Sequence, residues 1–302
     1  MAFAVYERIT QEIIAKLERG TVPWHRPWIG GPEGAPANLI SKKRYRGINS
    51  FLLTFQPYNS PFWLTYKQAV QFGGNVRRGE KATLVVFWKW LETGIKEIRG
   101  EVGTKPVRVV VLRYYHVFNV EQCEGVEYPK PVSSAGPARQ VKPIEAAEKI
   151  VAGFPNAPRI EHQGTQALYR PGLDLILMPQ RESFERDEGY YSTLFHELTH
   201  STGHEKRLGR NTLADVSPFG STNYSKEELV AEMGAAMLCG EAGIENSTIE
   251  NSASYIAGWL KKLKDDSRLV IVAAGQAQRA ADHILGRQYE EVEQPESVSV
   301  KT

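Results

Sequence analysis

The sequence predicts an α+β protein of two domains, and three observations carry that reading. Helix-spaced apolar residues and runs of β-branched and aromatic residues occur in both halves. A Pro-rich stretch divides them: Pro129-Lys130-Pro131-Val132-Ser133-Ser134-Ala135-Gly136-Pro137-Ala138 reads as a linker. The halves also differ in charge. Residues 1–120 hold 18 Lys and Arg against 8 Asp and Glu, a net +10, whereas residues 121–302 hold 19 against 27, a net −8. The expected layout is a basic domain over 1–128, a linker over 129–142, a second domain over 143–288 and an acidic tail over 289–302.

A chain of 302 residues is long enough for two sizeable cores, and 41% apolar with 10% aromatic content fits a globular protein. No apolar run approaches the ~20 residues of a membrane span, so no membrane partner is expected. The opening Met1-Ala2-Phe3-Ala4-Val5-Tyr6-Glu7-Arg8 lacks a basic region followed by an apolar stretch, so no signal peptide is expected there. Cys123 and Cys239 stand far apart and read as reduced thiols in a cytoplasmic protein, with a disulfide between them as the alternative.

The first element is a helix over Val5–Glu18, with Ile9, Ile13, Ile14 and Leu17 at helical spacing and Gly20 stopping it. Pro23-Trp24-His25-Arg26-Pro27-Trp28 follows as a rigid loop. Phe62–Phe72 looks helical, and Ala82–Trp90 and Val107–Val117 read as strands. Alternation sets Trp88 and Trp90 on one face, expected inward, with Phe87 and Lys89 on the other. In the second half, Ile144–Gly153 is a helix, and Leu168-Tyr169 with Leu173–Met178 forms a hairpin around Arg170-Pro171-Gly172-Leu173. A helix capped by Ser192 or Thr193 and ended at Gly203 comes next, then one over Ser225–Leu238 with Ser225 and Glu228 as a capping box. Ser252–Leu285 is helical throughout.

His196-Glu197-Leu198-Thr199-His200 carries the chemistry. Positions i and i+4 share a helix face, so His196 and His200 can offer two imidazole nitrogens to one metal ion. Glu197 then projects where a carboxylate can deprotonate a water, the role of a catalytic base. Neutral imidazole suits Zn²⁺, expected at one per chain, with another divalent transition metal as the alternative. The competing reading is a solvated helix that holds this spacing by chance.

A catalytic zinc takes three protein ligands. The extended form H-E-x-x-H-x-x-G-x-x-H is matched through Gly203, but its last position is Lys206, which cannot ligate while protonated. His204 stands two residues too early; it is either a partner of a ligand or a helix-end histidine facing exposed carbonyls. Glu228 and Glu232 share one face of the next helix, in an otherwise small and apolar stretch, where carboxylates are costly unless paired or metal-bound. Glu227 is a further alternative, and Glu228 could serve only as a cap. This stretch resembles the gluzincin pattern, which implies Glu228 as third ligand and Glu232 as the acid that orients a ligating histidine.

In the basic half, Arg44-Tyr45-Arg46, Arg77-Arg78, Lys81, Trp88-Lys89-Trp90 and Arg113-Tyr114-Tyr115-His116 interleave cations with rings. Single-stranded DNA is bound by that combination, cations following phosphates and rings stacking on unpaired bases. The expected contacts are Arg44, Tyr45, Arg46, Arg77, Arg78, Lys81, Lys89, Arg113 and Tyr115. The alternative is rings in the core and cations on a solvated face.

Further segments extend these motifs: Tyr6-Glu7-Arg8-Ile9-Thr10, Gly20-Thr21-Val22-Pro23-Trp24, Tyr45-Arg46-Gly47-Ile48-Asn49, Trp63-Leu64-Thr65-Tyr66-Lys67-Gln68-Ala69, Val76-Arg77-Arg78-Gly79-Glu80-Lys81 and Phe195 through His204. Together and in this order they resemble the ArdC-type antirestriction proteins of conjugative plasmids, whose N-terminal region is shared with TraC-type primases. The resemblance implies an N-terminal single-stranded-DNA-binding domain and a C-terminal zincin-like metallopeptidase domain. It also implies protection of incoming plasmid DNA from host restriction. Alternatives are a DNA-recruited peptidase that cleaves a host protein such as a restriction enzyme, and a replication accessory protein with a structural metal.

Overall fold

The computed structural model describes residues 2–24, 34–97, 104–129, 143–215, 225–244 and 253–288. The expected loop beyond Trp24, nearly all of the expected linker and the acidic tail lie outside the described residues. The first half runs α1 (Ala2–Leu17), β1 (Ala37–Asn38), α2 (Ile48–Thr54), β2 (Phe62–Leu64), α3 (Tyr66–Gln71), β3 (Asn75–Val76), β4 (Thr83–Glu97), β5 (Thr104–Asn119) and β6 (Cys123–Glu124). The second runs α4 (Pro143–Ala152), β7 (Arg159–His162), β8 (Leu168–Arg170), β9 (Leu175–Met178), α5 (Asp187–Ser201), α6 (Lys226–Ala242), α7 (Ala253–Asp265) and α8 (Leu269–Ile284).

The two expected strands of the first half form a long antiparallel hairpin, β4 on β5, in register from Thr83 opposite Val117 to Glu97 opposite Thr104 with one shift between Glu92 and Ile95. It sits in a four-stranded sheet of order β1-β2-β5-β4. The expected helix over Phe62–Phe72 is corrected here. Phe62-Trp63-Leu64 is a strand, with Trp63 opposite Asn119 and Leu64 opposite Phe118. The helix starts only after Thr65, whose hydroxyl accepts from the Gln68 amide while Gln68 Oε1 accepts from the Thr65 amide.

Trp88 is also corrected. It lies on the face of Leu84 and Val86 yet is 53% exposed, with its ring 6.2 Å from Tyr6 of α1, while Phe87 on the other face turns to Tyr45 and Tyr115. The hairpin is apolar on both faces near its base. Leu84, Val86 and Leu112 join the cluster that holds α1, and Val85 and Val117 join Leu53 and Trp63. Alternation alone therefore could not say which face turns inward.

In the second half, β8 and β9 form the expected hairpin, and β7 adds parallel to β9 to give a sheet of order β7-β9-β8. α5 begins at Asp187, five residues before the expected caps. Ser192 and Thr193 are buried within it, and Thr193 Oγ1 donates back to the Gly189 carbonyl. Asp187 and Glu188 instead supply negative charge in the first turn. Ser225 caps α6 as expected, its hydroxyl accepting from the Glu228 amide. The single helical stretch expected near 252–285 is two helices, α7 and α8. Asp266 Oδ1 accepts from the Arg268 amide at the break, a local bond that competes with helix continuation.

The halves share one apolar core. Val5, Ile9, Ile13, Ile14 and Leu17 of α1 fall in the same buried cluster as Leu198, Met233, Trp259, Val270 and Ile284. α6 is buried on nearly every side, and small residues let its neighbours approach. A Cβ at Gly234 would lie 2.5 Å from Thr199 Cγ2 of α5, so this glycine sets the spacing of the two site-bearing helices. Cys123 and Cys239 are both free thiols. No helix among the described residues is long and apolar enough to cross a membrane.

Candidate metal centre

α5 and α6 bring His196, His200 and Glu228 together, all buried. His200 Nε2 lies 3.1 Å from His196 Nε2 and 3.6 Å from Glu228 Oε1, and His196 Nε2 lies 3.4 Å from Glu228 Oε2. Zn²⁺ bonds of ~2.0–2.1 Å in a tetrahedron put neighbouring ligand atoms about 3.3 Å apart, so these spacings fit a metal triad. This is the one such group of three or more ligating side chains among the described residues.

Glu197 is fully buried beside the triad. Its Oε2 accepts the Tyr169 amide of β8 at 2.7 Å, and its Oε1 has no hydrogen-bond partner among the described residues. An orphaned buried carboxylate oxygen is costly unless something absent here uses it. Burial raises the pKa of Glu197, while His196 and His200 oppose the rise. Tyr169 is itself anchored, donating its hydroxyl to Asp174 Oδ1 at 2.8 Å beside the Arg207 guanidinium, which pairs with Asp174. For Glu228 burial acts upward, but hydrogen bonds from His196 and His200 outweigh it and bring the carboxyl down to about 2. For His200 burial acts downward, and Glu227 and Glu228 overcome it, lifting the imidazole to about 10.

The acids of α6 divide differently from the i, i+4 expectation. Glu232 does not hold a histidine: its Oε2 accepts from Trp24 Nε1 at 2.7 Å and from the Tyr255 hydroxyl at 2.5 Å. Glu227 faces His200 instead, its Oε1 lying 3.3 Å from Nδ1. A helix step of 100° separates Glu227 from Glu228, and only the packing of α5 against α6 reveals that both reach the same ring. His204 sits past the end of α5, its Nδ1 accepting the Lys206 amide, so its contact belongs to the helix end.

The expected DNA contacts scatter. Arg44 pairs with Glu241 of α6 at 3.0 Å, and Arg46 pairs with Asp282 of α8, so both cations are engaged by the second half. Tyr45 and Tyr115 are half-buried around Phe87, and burial pushes the Tyr45 hydroxyl up to about 12. Arg77 is exposed and paired with Glu80; Arg78, Lys81 and Arg113 are exposed; the Lys89 side chain lies outside the described residues. Among the described residues, the exposed Phe, Tyr and Trp rings are Tyr66, Phe72, Trp88 and Tyr114. The parity of β5 puts Tyr114 and Tyr115 on opposite faces, but both faces carry buried residues, Leu112 on one and Val117 on the other, so only the fold says which ring is exposed.

Comparison with known proteins gives a family match for each half. Residues 145–276 match the zincin-like metallopeptidase family, and residues 3–118 match the N-terminal domain of the anti-restriction factor ArdC. Fold and site thus define a zincin-like domain joined to an ArdC-type N-terminal domain. The metal-free crystal structure of antirestriction ArdC from plasmid R388 is 33% identical with a TM-score of 0.68, covering 94% of this chain and 99% of that one. Its Mn(II)-bound structure is 36% identical with a TM-score of 0.67, covering 93% and 97%. The chain belongs to the ArdC family of antirestriction proteins. Two Escherichia coli proteins, each named DNA primase TraC, are 35% identical over 96% of this chain, which spans only 28% and 20% of their lengths. The uncharacterized protein y4eC of Sinorhizobium fredii (strain NBRC 101917 / NGR234) is 36% identical over 94% of this chain and 92% of its own.

Proposed function

We propose that this chain is a metal-dependent peptidase joined to a single-stranded-DNA-binding half, acting to protect DNA from restriction. One observation carries the enzymatic part: two imidazole Nε2 atoms and a carboxylate converge beside a buried Glu197 oxygen that has no hydrogen-bond partner among the described residues. His196, His200 and Glu228 would hold one divalent ion. The donor set suits Zn²⁺, and the related ArdC of plasmid R388 has a Mn(II)-bound structure. When bound, the ion supplies Lewis acidity for attack on a peptide carbonyl. Glu197 moves the proton: Tyr169 N–H fixes Oε2, and Oε1 takes the proton of the attacking water and returns it to the leaving amine nitrogen.

Glu197→Gln should abolish peptide-bond hydrolysis while one metal per chain is retained, because Glu197 is not a ligand. Hydrolysis at the parent rate by that variant would refute its role as base.

The DNA part rests on the +10 balance of residues 1–120 and on exposed rings among exposed cations. The protein should bind single strands more tightly than duplex, with affinity falling steeply as salt rises. Replacing Tyr66 and Trp88 by Ala should cost ~1–3 kcal/mol per stacked base, and Tyr115→Ala should cost less because its ring is half-buried. Equal binding to duplex and single strand would remove stacking from the account. Masking DNA needs no catalysis, so Glu197→Gln should still protect DNA in a cell-based restriction assay. Loss of protection with DNA binding intact would favour the second reading, cleavage of a host restriction protein.

A further inference from the structure

We infer that Glu227 is a positioning residue of this site: backed by Arg210, it fixes the ring of His200 so that Nε2, and not Nδ1, meets His196 and Glu228. This rests on the metal-site reading above. An imidazole has two tautomers and can flip, so a ligating histidine needs a partner on its other nitrogen. Glu227 Oε1 is that partner, 3.3 Å from Nδ1, and neither side chain is exposed to solvent.

The carboxylate is held from behind. Arg210 Nη2 donates to Glu227 Oε1 at 2.5 Å and Arg210 Nε to Oε2 at 3.1 Å, a two-point clamp, and the Thr212 hydroxyl also donates to Oε2. Arg210 is anchored to the end of α5, donating from Nη1 to Thr202 Oγ1 at 2.5 Å and from Nη2 to the Thr199 carbonyl at 2.8 Å. Gly203 leaves room for it, since a Cβ there would lie 3.1 Å from Arg210 Nη2. Swinging Glu227 away would strand the buried Arg210 charge and leave the His200 Nδ1 and the Thr212 hydroxyl without this acceptor, so the carboxylate is a fixed point against which His200 is set. Glu232, the acid at the i+4 position, is turned instead to Trp24 and Tyr255.

The test compares the full-length parent with Glu227→Gln, with the double variant Glu227→Leu/Arg210→Met, and with Glu232→Gln. The double variant removes both charges of the buried pair at similar volume, which preserves folding where a single truncation would not. Zn²⁺ and Mn²⁺ are titrated in competition with a chelating indicator, and the His200 Nδ1–H signal is followed by NMR in the metal-free chain. Both Glu227 variants should lose ~10–100-fold in metal affinity, and Glu232→Gln should keep the parent's. The slowly exchanging Nδ1–H signal should vanish in the double variant. Unchanged affinity in both Glu227 variants, or a loss confined to Glu232→Gln, overturns the inference. If the parent binds neither ion, the metal reading fails, and the NMR signal still decides: loss in the double variant sustains the positioning role, persistence overturns it.

Discussion

The Glu232 carboxylate is shut away between Trp24 and Tyr255, although the residue as a whole is half-buried. Burial, partly offset by those two hydrogen bonds, pushes its pKa up to about 8. The folded state thus holds a proton that the unfolded chain has released above about pH 4.5. Its stabilising contribution is complete below that value and is lost as pH rises through 8, by at most ~1.4 kcal/mol per pH unit. In the metal-free chain, Glu232→Gln should therefore gain stability relative to the parent between pH 5 and 8, measured by denaturant melts across that range. Parallel pH profiles for the two proteins would show that Glu232 is ionised in the fold. At this scale His196, Glu197 and His200 were legible, because their spacing lies within one helix. Glu228 was named only through the gluzincin resemblance, and the contacts of Glu227 and Glu232 were not legible, because each depends on what faces α6 from another element.

α5 and α6 approach closely at Thr199 and Gly234. Alanine at 234 would gain up to ~1 kcal/mol of helix propensity, but its Cβ would meet Thr199 Cγ2 at 2.5 Å and Oγ1 at 2.7 Å. The clash wins, with an expected net loss of ~1–3 kcal/mol and weaker metal binding as His200 and Glu228 part. Thr199→Ala in the same chain should restore both; a Gly234→Ala protein as stable and as metal-competent as its parent would show that the helices have slack. Most elements were readable from periodicity, as with the Ile9, Ile13, Ile14 and Leu17 stripe of α1. Phe62-Trp63-Leu64 was not, because three residues are too few to show a period and the capped α3 follows at once.

The shared core makes the molecule more than two independent modules. α1 packs on α7 and α8, Thr10 donates to the Ser267 carbonyl, Trp24 reaches Glu232, and Arg44 and Arg46 pair with Glu241 and Asp282. Heat should unfold the metal-free chain in one calorimetric transition. Two resolved transitions, each reproduced by a fragment cut near Pro131, would show that these contacts add little. The charge difference between the halves is real in the sequence, yet part of it is used internally, since Arg44 and Arg46 neutralise acids of the second half.

The sequence by itself determined the α+β class, the helix that carries His196, Glu197 and His200, and a basic, ring-rich first half. These follow from residue types at fixed short spacing, where backbone geometry alone decides which side chains are neighbours. Tertiary structure alone decided that Glu227 faces His200, that Glu232 turns to Trp24, that Trp88 rather than Phe87 meets solvent, and that the halves bury one core. Each of these depends on which element packs against which, and no local period encodes a partner distant in the chain.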